Sequence, residues 1–275
     1  MVDTFWQDVR YSVRLLRRSP LFTLTAALSL AIGIGANATI FSVATALLFR
    51  PLPGLSDPAR LVDIGRTRNG AGFDLTSYPN FQDIAARATT LAGVYAWRAE
   101  PEPMSLAGEH DSERVYGSRV SGSYFRVLGV RAEQGRLFVD ADDAPGRNEV
   151  TVMSDALWRN RFVADPAIVG KTITITGRPF VVVGVAPPAF QGTTILKSDL
   201  WLPLTTQGYG NAEMLTNRRI TWIMVGGRLK PGVALTQADA EIRSIGDALR
   251  RDYPAEMPAA ASGWSACRFS PAASR

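Results

Sequence analysis

From Leu21 to Phe49 the chain runs for 29 residues without a charged side chain. As a helix this run extends roughly 44 Å at 1.5 Å per residue, against a bilayer hydrocarbon core of about 30 Å. A helix in a soluble core keeps one polar face toward water, so the lack of charge on every side points to lipid. The pattern predicts a transmembrane helix over residues 21–49. Upstream, Phe5, Val9, Val13 and Leu16 recur at helical spacing opposite Asp8, Arg10, Arg14 and Arg17. That predicts an amphipathic helix in residues 1–20, lying at the membrane interface.

After an exit rich in proline and glycine at Pro51, Pro53 and Gly54, the period shortens. Strands are predicted over 60–65, 91–97, 104–106 and 113–120, with a turn at Gly70 and Gly72. A helix is predicted over 79–87, with Pro79 at a first helical position and Phe81, Ile84 and Ala85 as its apolar stripe. Ser121-Gly122-Ser123 is placed to cap a short helix, Tyr124 to Leu128, that Gly129 stops. A strand over 149–153 leads to Ser154, a cap for a helix through Leu157, Trp158 and Phe162. Thr172 to Thr176 alternates β-branched residues, Gly177-Arg178 offers a two-residue turn, and Phe180 to Val185 returns as the second arm of a hairpin. A strand over 220–229 precedes a helix to Arg251. There Thr236 and Asp239 have the form of a capping box, and Ala238, Ile242, Ile245 and Leu249 form the buried stripe. Residues 257–275, rich in Ser, Ala and Pro, are expected to be unstructured. Strands and helices interleave irregularly, so the fold class is α+β.

Charge orients the span. Arg10, Arg14, Arg17 and Arg18 precede it, whereas only Arg50 stands at its far flank. The positive-inside bias therefore places the N-terminus in the cytoplasm and the following domain outside. A second reading remains open: Arg17-Arg18 and the small-x-small triplet Ala36-Asn37-Ala38 fit a cleaved signal sequence. The uninterrupted apolar run from Ile40 to Phe49 favours an uncleaved anchor. Within the span Ala27, Ala31, Gly35 and Thr39 fall four apart on one face, the spacing at which small residues let a second helix approach.

Composition limits the chemistry. The net charge of +5 is spread along 275 residues without a basic run, which argues against nucleic acid as a partner. Cys267 and His110 are the sole cysteine and histidine, too few for a disulfide, a zinc site or a histidine-based triad. No G-x-x-x-x-G-K-[ST] or G-x-S-x-G motif occurs. Asp140, Asp142 and Asp143 lack the glycine and glutamate of a calcium loop and read as a solvated turn. No catalytic residue, cofactor or metal is therefore expected. Tyr124, Phe125, Trp158, Phe180 and Trp201 read as core.

One resemblance covers nearly the whole chain. Asp8-Val9-Arg10-Tyr11-Ser12-Val13-Arg14-Leu15-Leu16-Arg17-Arg18-Ser19-Pro20 leads directly into the span. It is followed in order by Phe49-Arg50-Pro51-Leu52-Pro53, Ser77-Tyr78-Pro79-Asn80-Phe81, Ser123 to Val130, Asp165 to Lys171, and Val182 to Pro188. This series resembles the opening of MacB-like ABC-transporter permeases, in the style of the duplicated orphan permeases of acidobacteria. The resemblance implies a first transmembrane helix and a MacB-like periplasmic core domain over 50–256. That domain divides into a porter-like part, about 57–119 and 220–253, and an inserted, mainly β lobe, about 120–219. It further implies a non-catalytic component of an ABC-type export or mechanotransmission complex in the bacterial inner membrane. The implied partners are a separate ATP-binding subunit and either the remaining permease spans or a homologous permease. Family members continue into three more spans where this chain ends at Arg275, so a truncated or frameshifted permease is expected. The alternative is a stand-alone anchored or secreted binding module.

Overall fold

The computed structural model describes residues 10–11, 14, 18–49, 54–68, 71–108, 111–144, 149–194, 196–206, 212–257 and 262–269. The chain forms two compact units, Met1–Arg50 and Pro51–Arg275.

The first unit is dominated by α1 (Pro20–Phe49), an unbroken helix. Its stretch Pro20–Ser42 is apolar and long enough to cross a bilayer, and none of it is buried within the protein. Of the expected amphipathic segment, Arg10, Tyr11, Arg14 and Arg18 are helical and exposed. Its apolar positions Phe5, Val9, Val13 and Leu16 lie outside the described residues.

The second unit is α+β, as the periodicity predicts. Its first layer is an open antiparallel sheet in the order β3 (Leu91–Arg98), β11 (Ile223–Leu229), β1 (Leu61–Arg68), β12 (Ser262–Arg268), with β2 (Ala71–Asp74) paired to the end of β1. Alternation sends Val62, Ile64, Val94, Ala96 and Val225 to one face. There α2 (Tyr78–Arg87) and α6 (Leu235–Asp252) cover them with Phe81, Ile84, Ala238, Ile242, Ile245 and Leu249. Leu61, Tyr95, Trp97 and Met224 face the other way, against α3 (Tyr124–Leu128). Gly93 permits that approach, since a Cβ there would meet Val127 Cγ2 at 2.7 Å.

The remaining strands close on themselves. β5 (Ser112–Val120) pairs with β4 (Glu102–Ala107), β4 with β8 (Thr172–Ile175), β8 with β9 (Arg178–Val185), β9 with β7 (Val150–Met153), and β7 with β10 (Leu200–Pro203). β10 then returns to β5 in parallel, Leu200 opposite Gly117 through Pro203 opposite Val120. This ring of six strands leaves no unpaired edge along its circuit, and encloses Met104, Leu106, Met153, Ile173, Ile175, Phe180, Val182, Val185 and Leu202. The short β6 (Gln134–Gly135) adds to β9, and α4 (Asp155–Phe162) contributes Leu157 and Trp158 to the same core. A single pair, Trp97 opposite Val120, joins β5 to β3.

Several expectations change. Residues 262–268 form β12, paired with β1 over its whole length, so the segment expected to be unstructured supplies the edge of the sheet. Trp264 and Ala266 are buried on α6, where Gly246 leaves room for the indole. The hydrogen bonding of β4 and β5 puts residues 102–120 in the ring. The hairpin turn is Thr176-Gly177, one residue earlier than read, because both residues have positive φ (48° and 77°) and Ile175 pairs with Arg178. Helix α6 starts at Leu235, where Gln237 Oε1 accepts the Ala234 N–H at 2.9 Å. Asp239 does not cap it: it accepts from Ser265 Oγ and the Ala266 N–H of β12. The hydroxyls of Ser121 and Ser123 do not cap α3. Ser121 Oγ accepts from the Ala96 N–H at 3.0 Å and Ser123 Oγ donates to the Val94 carbonyl at 2.7 Å, tying the turn to β3.

Candidate functional site

The helix-packing candidates Ala27, Ala31, Gly35 and Thr39 are all exposed on α1. Around Gly33 and Gly35 nothing lies within 4 Å of where a Cβ would stand. Three threonines of the helix turn inward on the backbone: Thr39 Oγ1 donates to the Gly35 carbonyl at 2.7 Å, Thr25 Oγ1 to Leu21 at 2.7 Å and Thr23 Oγ1 to Ser19 at 3.0 Å. Hydrocarbon offers a hydroxyl no other acceptor, so this bonding suits a span.

In the second unit, several ionisable groups are engaged with one another and with the backbone. Of the acidic cluster Asp140 is exposed, whereas Asp142 is buried and Asp143 partly so. Asp142 accepts from both terminal nitrogens of Arg136 at 2.6 and 2.9 Å and from the Val139 N–H. Asp143 accepts the Thr205 N–H at 2.9 Å, and burial pushes its pKa up to about 6 despite that bond. Arg119, at the end of β5, is 2% exposed and shares Glu102 with Arg98. Arg218 donates to Asn80 and Asp83 and lies 3.7 Å over the ring of Tyr253, joining the loop before β11 to both covering helices. Glu241 takes the N–H and hydroxyl of both Thr89 and Thr90. Burial opposes its charge, but those four bonds prevail and hold its pKa down at about 2. Cys267 sits half-buried on β12, and burial, with Asp63 and Asp239 nearby, pushes its thiol up to about 11. Among the described residues no three His, Cys, Asp or Glu side chains converge as metal ligands; His110 lies outside them. A cleft of about 540 Å³ at the end of α6, lined by Asp247, Arg250, Arg251, Pro254 and Met257, carries no nucleophile paired with a base.

One constellation was not legible beforehand. Gly54–Asp57, the first described residues beyond α1, are fastened to the end of α3 and to β11. Ser56 donates its N–H to Leu128 O at 3.2 Å and its Oγ to Gly129 O at 2.7 Å. Arg228 on β11 donates Nη2 to Ser56 O at 2.6 Å, Nη1 to Asp57 O at 3.0 Å and Nε to Val127 O at 2.6 Å. Arg228 is 171 and 172 residues from its partners in the lead-in, so no local pattern announces it.

The second unit is thus an α+β domain of sheet and ring that follows an apolar helix long enough to cross a bilayer. The profile of the MacB-like periplasmic core domain family matches residues 23–245, and the chain belongs to that family. The chain is 26% identical over 214 residues to the macrolide export ATP-binding/permease protein MacB of Neisseria gonorrhoeae, covering 74% of this chain and 32% of that protein. It is 27% identical over 218 residues to MacB of Neisseria meningitidis, with the same coverage. It therefore spans about a third of the length of these curated relatives. Among solved structures, a permease-protein domain from Porphyromonas gingivalis superposes with a TM-score of 0.57 at 17% identity, covering 78% of this chain and 93% of that one. The periplasmic region of MacB from Actinobacillus actinomycetemcomitans gives 0.54 at 18%, covering 78% and 91%. These likenesses carry the fold.

Proposed function

We propose that this chain is the membrane-anchored permease component of an ABC-type export or mechanotransmission complex, itself non-catalytic. Its N-terminus faces the cytoplasm and its second unit occupies the periplasm. The observation that carries this reading is the family match, which runs from inside the apolar helix through the sheet and ring to α6. ATP hydrolysis is assigned to a separate ATP-binding subunit, a reading supported by likeness to relatives named ATP-binding/permease proteins. Ala27, Ala31, Gly35 and Thr39 form the face on which further permease spans, or those of a homologous permease, pack. In the domain, the open sheet with α2 and α6 corresponds to the porter-like part, and the six-strand ring to the inserted lobe.

Topology gives a direct test. In a Cys267→Ser background, single cysteines replace Arg14 and Lys171, and intact spheroplasts are treated with a membrane-impermeant maleimide. Labelling of the Lys171 site alone, on a membrane-bound chain that co-purifies with an ATP-binding subunit, is the expected result. A soluble chain whose N-terminal sequence begins at Thr39 would overturn the reading in favour of a secreted module.

A further inference from the structure

Carbonyls at the C-terminus of a helix have no partner within the helix and must find one elsewhere. In α3 these partners come from two distant places. Val127 O is taken by Arg228, and Leu128 O and Gly129 O by Ser56. Gly129 has φ of +69°, and a Cβ there would meet Ser56 Cβ at 2.6 Å, so both the backbone and the close approach require glycine. Gly54, with φ of +86°, lies against the backbone of Phe190, where a Cβ would come within 3.2 Å of it. Leu55 packs against the aromatic cluster of Phe125, Phe190 and Trp201. The lead-in is thus held by an apolar anchor, two glycine contacts and a guanidinium that reaches three carbonyls. Lysine, a point donor on a flexible stem, cannot reproduce that planar fork.

We propose that Arg228 is a positioning residue. It fixes the segment following the apolar helix to α3 and to the centre of the sheet, so that a displacement of the chain at Ser56 enters β11 and α3 together instead of being taken up by slack. The mechanical role rests on the permease reading, whereas the clamp itself is tested without transport. Opposite Arg228 lie Leu61 on one side and Gly93 on the other, both paired through the β11 backbone. The sheet therefore does not depend on the Arg228 side chain.

The test is hydrogen exchange on the full chain in lipid nanodiscs, comparing the parent with Arg228→Ala, Arg228→Lys and Ser56→Ala. Exchange of the Ser56 amide is expected to accelerate at least tenfold in both Arg228 variants and less in Ser56→Ala, while Ile64 and Val225 keep their protection. Unchanged protection at Ser56 in Arg228→Ala would overturn the proposal. So would a parallel loss of protection at Ser56, Ile64 and Val225 in both Arg228 variants, which would make Arg228 a residue of general stability. A failure of the topology experiment would leave this result standing, so the two readings are tested separately.

Discussion

The open sheet and the six-strand ring solve the same problem by different means. The ring has paired strands all round and a filled interior, which Phe180, Val182, Val185, Leu200 and Leu202 supply. The sheet has an edge and two faces. It borrows α2 and α6 for one face and α3 for the other, and it relies on carboxylates at the seams. Glu241 ties α6 to the turn before β3, and Asp239 ties α6 to β12. An edge strand exposes unpaired backbone groups, and a carboxylate that accepts the Ala266 N–H blunts that edge. Both regions carry ion pairs, Arg119 with Glu102 in the ring among them, but only the open sheet has an edge that a carboxylate must blunt.

The largest effects should come from the cores. Phe180→Ala in the ring and Trp264→Ala at the sheet edge should each cost about 3–5 kcal/mol. Because β5 pairs with strands of both regions, urea unfolding is expected to remain one transition with a lower midpoint. Two separated transitions in either variant would show that ring and sheet fold independently.

Next come the two carboxylates that titrate in opposite senses. Glu241 is depressed to about 2 from 4.5, so its contribution is complete above pH 4.5 and disappears as pH falls through 2. Glu241→Ala should cost about 2 kcal/mol at pH 7, the worth of bonds to a charged acceptor. Asp143 is raised to about 6 from 3.8, so its contribution is complete below pH 3.8 and is lost as pH rises through 6. Between pH 7 and 5 it should add about 1.4 kcal/mol, and that gain should vanish in Asp143→Asn. Thermal midpoints of the parent and both variants across pH 3–8 check the pair; equal slopes for parent and Asp143→Asn between pH 5 and 7 would refute the assignment.

The smallest effect is a gain. Val163 ends α4 with φ of 53° while 86% exposed, a conformation unfavourable for a β-branched residue. Val163→Gly should stabilise the ring by about 1 kcal/mol, measurable as a higher urea midpoint. A lower midpoint would mean that the Val163 side chain makes a contact worth more than its strain.

Much of this architecture is written locally. The charge-free run from Leu21, the alternation from Thr172 to Val185 and the stripe Ala238, Ile242, Ile245 and Leu249 each carry their element in nearest-neighbour chemistry. Hydrophobic periodicity needs no knowledge of the partner surface. The strand in the tail and the displaced caps share one cause. Gly263-Trp264-Ser265-Ala266-Cys267 has a weak strand pattern and becomes one because β1 presents an open edge and Gly246 leaves space for an indole. Asp239 has the spacing of a cap and becomes a seam because β12 arrives beside it. Ser121 and Ser123 have the form of caps and serve β3 because its backbone passes within reach.

The candidate site divides in the same way. The long apolar helix was determined by the sequence alone, since an uncharged run of that length carries its element in composition. The closure of the ring by β10 against β5, and the clamp of Arg228 on Ser56, Asp57 and Val127, were decided only by tertiary structure. These contacts join residues 80 or more positions apart, and their strength depends on a hydrogen-bond geometry that no short window of sequence encodes.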